Sequence, residues 1–169
     1  GSNVGGVAQV GRVYPFEFDV DTQDWVRMQE TPIAGIRNDN MGVDVDISTD
    51  GSKFVVGAPG NGAGYFEVFV WNDSLSPPEW ESIFFRGGND DSEFFGSGVA
   101  MLSDNGSLFA VGGPNFMDGQ GVIRVYEEGS LGKYSQVGPD IVGEAGEALG
   151  VRNSFSGAGT TVIAGTANG

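Results

Sequence analysis

The chain contains no cysteine and no histidine, and only 8 of its 169 residues are lysine or arginine. Without cysteine there are no disulfides and no thiolate metal ligands. That leaves the compartment open, because large β-proteins outside the cell do not need disulfides. Without histidine, acid–base catalysis would fall to aspartate or glutamate alone. No apolar run approaches the ~20 residues that a membrane-crossing helix needs, and no basic-then-apolar leader pattern opens the chain, so membrane insertion is not expected. The few basic residues face 23 acidic ones, for a net charge of −15. A chain this acidic is repelled by phosphate backbones and anionic lipid, which makes nucleic acid and membrane surfaces poor partners. Cations, basic proteins and neutral glycans remain open.

What the chain has in quantity is glycine, 30 residues, alongside 39% hydrophobic residues and 18% charged ones. This composition points to a folded domain with many tight turns rather than long helices. The glycines recur at fixed intervals. Gly42, Gly96 and Gly150 are each 54 residues apart. After each comes a strand-like segment (Val45–Ile47, Val99–Met101, Asn153–Phe155), then a glycine turn, then a second strand (Phe54–Gly57, Phe109–Gly112, Val162–Gly165). Short strands joined by a few Gly, Asp or Asn residues predict antiparallel hairpins. A third strand follows in "GYFEVFVW" (64–71) and "GVIRVY" (121–126), both matched by "GRVYPFEF" (11–18). A fourth begins at an aromatic: Trp80, Tyr134 and Trp25. In "VDVDIS" the apolar Val43, Val45 and Ile47 alternate with Asp44, Asp46 and Ser48, so one face is apolar and the other polar. A four-stranded antiparallel unit repeated every ~54 residues predicts an all-β fold of β-propeller blades.

The residues that carry the repeat resemble the FG-GAP family, the repeats of the integrin α-subunit propeller. Phe95-Gly96 matches the "FG" and Gly57-Ala58-Pro59 the "GAP", with weaker forms at Met41-Gly42, Leu149-Gly150 and Gly112-Gly113-Pro114. The likeness is to long FG-GAP-like arrays of microbial and algal surface proteins, and it covers roughly residues 10–169. It implies a propeller at the cell surface or outside the cell, acting in adhesion through protein contacts and without catalysis. The sequons Asn72-Asp73-Ser74 and Asn105-Gly106-Ser107 agree with that location. Calcium-binding members of the family carry oxygen ligands in a DxDxDG loop. Asp46, Ser48, Asp50 and Gly51 match the start of that spacing, but Asp46 falls within a strand and Lys53 and Phe54 follow. The middle copy has Ala100, Leu102 and Asp104 at the corresponding places. A tight hairpin with Asp50 at its tip is the better reading, so the family's calcium is not carried over.

The single unit expected over residues 1–169 divides into three blade-equivalents per chain. These are a C-terminal half-blade over 10–41, whole blades over 42–95 and 96–149, and an N-terminal half-blade over 150–169. The halves are complementary: "VIAGTANG" leading into "GSNVGGVAQVGRVYPF" reads as a normal connection from a second strand to a third. Self-association follows as an expectation, either as a homodimer sharing two blades or with the chain as part of a larger propeller.

The loops before the anchoring glycines, 35–42, 87–96 and 143–150, would gather Asp39, Asp90, Asp91, Glu93, Glu144 and Glu147 on one rim. Two readings stand: a weak site for a divalent cation such as calcium or for a basic partner, and soluble loops that discourage edge aggregation. No other cofactor is expected. Trp25, Trp80 and Tyr134 recur at one position of the repeat, so packing explains them. Trp71 lies outside that pattern beside Asn72 and Asp73 and is the tryptophan expected to be exposed. It would be the ligand contact if the chain were instead a carbohydrate-binding propeller lectin. Phe84-Phe85 and Phe94-Phe95 are expected to make contacts between blades. "GNGAG" (60–64) lacks a lysine, so it is a turn rather than a phosphate cradle.

Overall fold

The computed structural model describes residues 10–102 and 105–167. The chain folds as an all-β array; among the described residues every pairing between strands is antiparallel and no sheet closes on itself. The first portion holds two short ladders, β1 (Arg12–Val13) with β4 (Ile33–Ala34) and β2 (Phe16–Asp19) with β3 (Asp24–Arg27). Two continuous strands were expected there. Pro15 lies between β1 and β2, and Pro32 directly precedes β4; neither has an N–H to give to a ladder, so each strand is divided. A four-stranded sheet follows: β5 (Val45–Ile47), β6 (Lys53–Ala58), β7 (Tyr65–Asn72) and β8 (Glu79–Gly87). The next is β9 (Gly98–Leu102), β10 (Leu108–Gly113), β11 (Val122–Glu128) and β12 (Tyr134–Val142). The hairpin β13 (Leu149–Phe155) and β14 (Val162–Thr166) completes the described chain. The Asp104 tip of the middle hairpin and the residues that would join 169 to 1 lie outside the described residues.

The backbone repeats as strictly as the sequence. Gly42, Gly96 and Gly150 have φ of 89°, 91° and 98°; two residues earlier Asn40, Phe94 and Ala148 have 56°, 54° and 54°. Two residues before those, Asn38, Ser92 and Gly146 have 65°, 70° and 85°. The left-handed region is costly for residues with a Cβ, so its recurrence at Phe94 and Ala148 marks a loop held in shape by its surroundings.

Sheet stacks on sheet because glycine meets glycine. A Cβ at Gly57 would lie 1.8 Å from the Gly96 carbonyl oxygen, and one at Gly112 would lie 1.9 Å from that of Gly150. β6 and β10 therefore each end against the backbone of the following anchor. Strand alternation then divides the core. On β6, Phe54, Val56 and Ala58 join Ile33, Met41, Phe69 and Trp80 on one side of the sheet. Val55, between them, joins Phe66, Val99, Phe109 and Tyr126 on the other. Phe109 and Tyr126 stack at 5.4 Å, and Phe54 and Phe69 at 5.0 Å.

The polar face of β5 is also used between sheets. The Asp44 carboxylate accepts from the Val99 N–H at 2.9 Å, and that of Asp46 from the Met101 N–H at 2.8 Å. These bonds satisfy donors on β9, an edge strand with no further strand beside it.

Candidate functional site

The acids expected to gather on one rim divide into two groups. Asp39 is fully buried and Glu93 is 1% exposed, which corrects the expectation that both face solvent. Asp39 accepts from the N–H groups of Ile36 (2.5 Å) and Met41 (3.2 Å) and from the Tyr65 hydroxyl. Glu93 accepts from the N–H groups of Asn89 (2.7 Å) and Asp90 (3.2 Å). Glu147, in the third loop, accepts from the Glu144 N–H at 2.7 Å. In all three loops the acid stands three residues before the anchor glycine and takes the N–H three residues before itself. These carboxylates close their own loops. The signal was present in the sequence as an acid at one fixed offset from each anchor.

Arg124 completes the Glu93 site. Its Nη1 lies 2.5 Å from Glu93 and its Nε donates to Asp140 at 3.0 Å. The guanidinium lies 4.8 Å from the Phe95 ring centroid and 5.2 Å from that of Phe116. Burial works to raise the pKa of Asp140, but hydrogen bonds from Arg124 and Gln136 outweigh it and hold the carboxyl below its usual value. Glu67 occupies the position of Arg124 in the preceding sheet. Burial, helped by the Asp39 charge, pushes its pKa up, against a hydrogen bond from Ser82.

Asp90 and Asp91 remain at the surface. They line a shallow polar hollow with Ser92, Asn115 and Asp118. Among the described residues, no three acids converge as a metal-binding group would require. Asp50 sits at its hairpin tip and accepts from the Ser48 hydroxyl and from the N–H and hydroxyl of Ser52. Those bonds, the one from Ser48 foremost, hold its pKa low. Asp46 is occupied with Met101.

The aromatics also depart from expectation. Trp80 and Tyr134 are buried, but their counterpart Trp25 is 64% exposed, with Phe18 edge-on at 5.5 Å. Trp71, expected to be exposed, is half-buried 5.6 Å from Trp80. The difference lies in the second strand. Phe54 packs on Trp80 at 4.8 Å and Phe109 on Tyr134 at 5.0 Å, whereas among the described residues no such strand covers Trp25. Of the paired phenylalanines, Phe84 and Phe95 reach the core, while Phe85 and Phe94 are 58% and 45% exposed.

Among the described residues, β2 pairs only with β3, and β14 only with β13. Beside β2 lies an apolar slot of about 260 Å³ lined by Val13, Pro15, Phe16, Val45, Ile47 and Phe54, among others. Compared with protein-family models and with curated proteins, the chain matches none.

Proposed function

We propose that this chain is a non-enzymatic interaction or adhesion module of the cell surface or extracellular space, built from FG-GAP-like propeller blades. The observation that carries the reading is the loop–glycine unit repeated at Gly42, Gly96 and Gly150. In it a buried or half-buried acid shapes the loop, and at Gly96 and Gly150 the anchor glycine receives the second strand of the preceding sheet. Carboxylates committed to loop backbone are withdrawn from acid–base work, and the same unit stacks sheets into a scaffold whose outer loops are free to vary. Function then lies in surfaces rather than in a reactive centre. No cofactor is assigned.

A second reading, a carbohydrate-binding propeller lectin, is favoured by one observation. The exposed Trp25 and Phe18 form an aromatic surface on which a sugar ring could stack. Beads coated with the chain, applied to cells treated beforehand with protease or with glycosidases, separate the readings. Adherence lost after protease and kept after glycosidase is expected of the protein-contact module. The reverse result would establish the lectin, and no adherence to any cell would remove both. EDTA in the same assay reports any dependence on a divalent cation.

A further inference from the structure

Arg124 on β11 and Glu67 on β7 hold one place in consecutive repeats, and that place is filled in one and open in the other. Glu93 and Asp140 pair with the Arg124 guanidinium at 2.5 and 3.0 Å, and the rings of Phe95 and Phe116 lie 4.8 and 5.2 Å from it. One sheet earlier, the counterparts of these four side chains are Asp39, Phe85, Met41 and Asn61. Asp39 and Met41 precede their anchor glycine at the same offsets as Glu93 and Phe95. Asn61 follows Pro59 as Phe116 follows Pro114. Phe85 precedes the strand partner of Phe66 just as Asp140 precedes that of Ile123.

All four counterparts are in place, but the guanidinium is not. Glutamate is shorter than arginine, and Met41 and Asn61 stand where two aromatic rings close the later site. A hollow of about 450 Å³ results, lined by Glu67, Tyr65, Met41, Asn61, Ile36 and Phe85, among others. Every wall belongs to residues 34–87, so the space comes from substitutions within the repeat. Asp39 is already satisfied by its loop N–H groups and the Tyr65 hydroxyl. Glu67 is not. The Ser82 hydroxyl donates to it, but among the described residues no lysine or arginine pairs with it. Burial and the Asp39 charge push its pKa up, as expected of a carboxylate that lacks a cation. Beside it Phe85, 58% exposed, tilts against the Tyr65 ring at 4.9 Å.

We propose that this hollow binds a guanidinium group from solvent, in the place that Arg124 fills one sheet later. The planar cation pairs with the Glu67 carboxylate as Arg124 pairs with its two acids. It lies against Phe85 and Tyr65 as Arg124 lies against Phe95 and Phe116. An ammonium ion is a poorer match, because a compact charge has no flat face to lay on the rings. The net charge of −15 draws such a cation in from a distance. The group is carried either by a free small molecule or by an arginine side chain of a partner protein, and the hollow recognises what the two share. This goes beyond the interaction-module reading and does not depend on it.

The test is an amide NMR titration of the full chain with butylguanidinium at millimolar concentration, and with butylurea as a neutral ligand of the same shape. Saturable binding at one site is expected, with shifts centred on Tyr65, Glu67 and Gly87, and butylurea should bind about tenfold more weakly or worse. Glu67→Gln keeps the shape of the side chain and should also weaken butylguanidinium by about tenfold, with thermal melting showing that the variant is folded. Glu67→Arg supplies the guanidinium from within, so it should abolish binding and raise the melting temperature. Phe85→Ala, at an exposed position, should weaken binding severalfold. Shifts spread over the acidic surface without saturation, equal binding of butylurea, or indifference to Glu67→Gln would overturn the site. Free arginine and a blocked Ala-Arg-Ala tripeptide then separate the sources: tighter binding of the first points to a small molecule, and of the second to a protein side chain. Cells adhering to the beads without guanidinium binding would remove this site and leave the module reading, and binding without adherence would do the reverse.

Discussion

Glu93 and Arg124 meet at 2.5 Å with side chains 0% and 2% exposed, and the matching positions one sheet earlier are Asp39 and Glu67. A cation and an anion in one copy are thus replaced by two acids in the other, with the Tyr65 hydroxyl donating to Asp39. The scaffold tolerates this because the loop acid is held chiefly by backbone N–H groups, which both copies provide. The partner on the third strand is where the copies differ.

Removing one member of the buried pair should be severe. Arg124→Met leaves the Glu93 charge without its counter-ion, and the expected loss is about 3–5 kcal/mol in a urea denaturation series. The double variant Arg124→Met with Glu93→Gln should lose clearly less than the sum of the two single changes, since no buried charge is left uncompensated. Additive losses would mean that the pair is not coupled.

Glu67 should respond to pH with the opposite sign to a paired acid. Its folded pKa lies above its ordinary 4.5, burial being the main cause and the Asp39 charge the second. The stabilisation that accompanies this raised value is complete below pH 4.5 and is lost as pH rises through the folded value. Glu67→Gln should therefore be more stable than the unmodified chain at pH 7, and the gap should close as pH falls toward 4. Denaturation midpoints at pH 4, 5, 6 and 7 decide this, and a gap that is constant across the series would contradict it.

Asp46 joins two sheets rather than holding a cation. Asp46→Ala removes the acceptor for the Met101 N–H and should cost about 1–3 kcal/mol. The Met101 amide should then exchange with deuterium faster than its neighbours on β9. Calcium added to the unmodified chain should leave the same amide unchanged; protection gained on calcium addition would return Asp46 to the role of metal ligand.

Two glycines should differ sharply when changed to alanine. Gly51 has φ of +71° and nothing within 4 Å of a Cβ, so Gly51→Ala should cost only the left-handed strain of roughly 1–2 kcal/mol. Gly57 would place its Cβ against backbone that cannot swing aside, so Gly57→Ala should cost about 3 kcal/mol or more by forcing the sheets apart. Thermal unfolding of the two variants under one condition makes the comparison, and equal losses would deny the close approach.

The sequence by itself determined the hairpins, their order and the 54-residue period. Alternation and turn chemistry act between residues a few positions apart, and the four-strand pattern can be read wherever Gly, Asp or Asn interrupts an apolar run. The tip role of Asp50 and the turn at 60–64 were legible for the same reason. Only the tertiary structure decided what each polar or aromatic side chain faces. Asp39 and Glu93 read as surface acids until Tyr65 and Arg124, 26 and 31 positions away, arrive to cover them. Asp46 met its N–H partner 55 residues along the chain. Trp25 and Trp80 share one local sequence signal, yet one is exposed and the other buried, because burial belongs to the strand beside each of them. A residue's position in a repeat is local information; whether its neighbour in the next sheet is present is not.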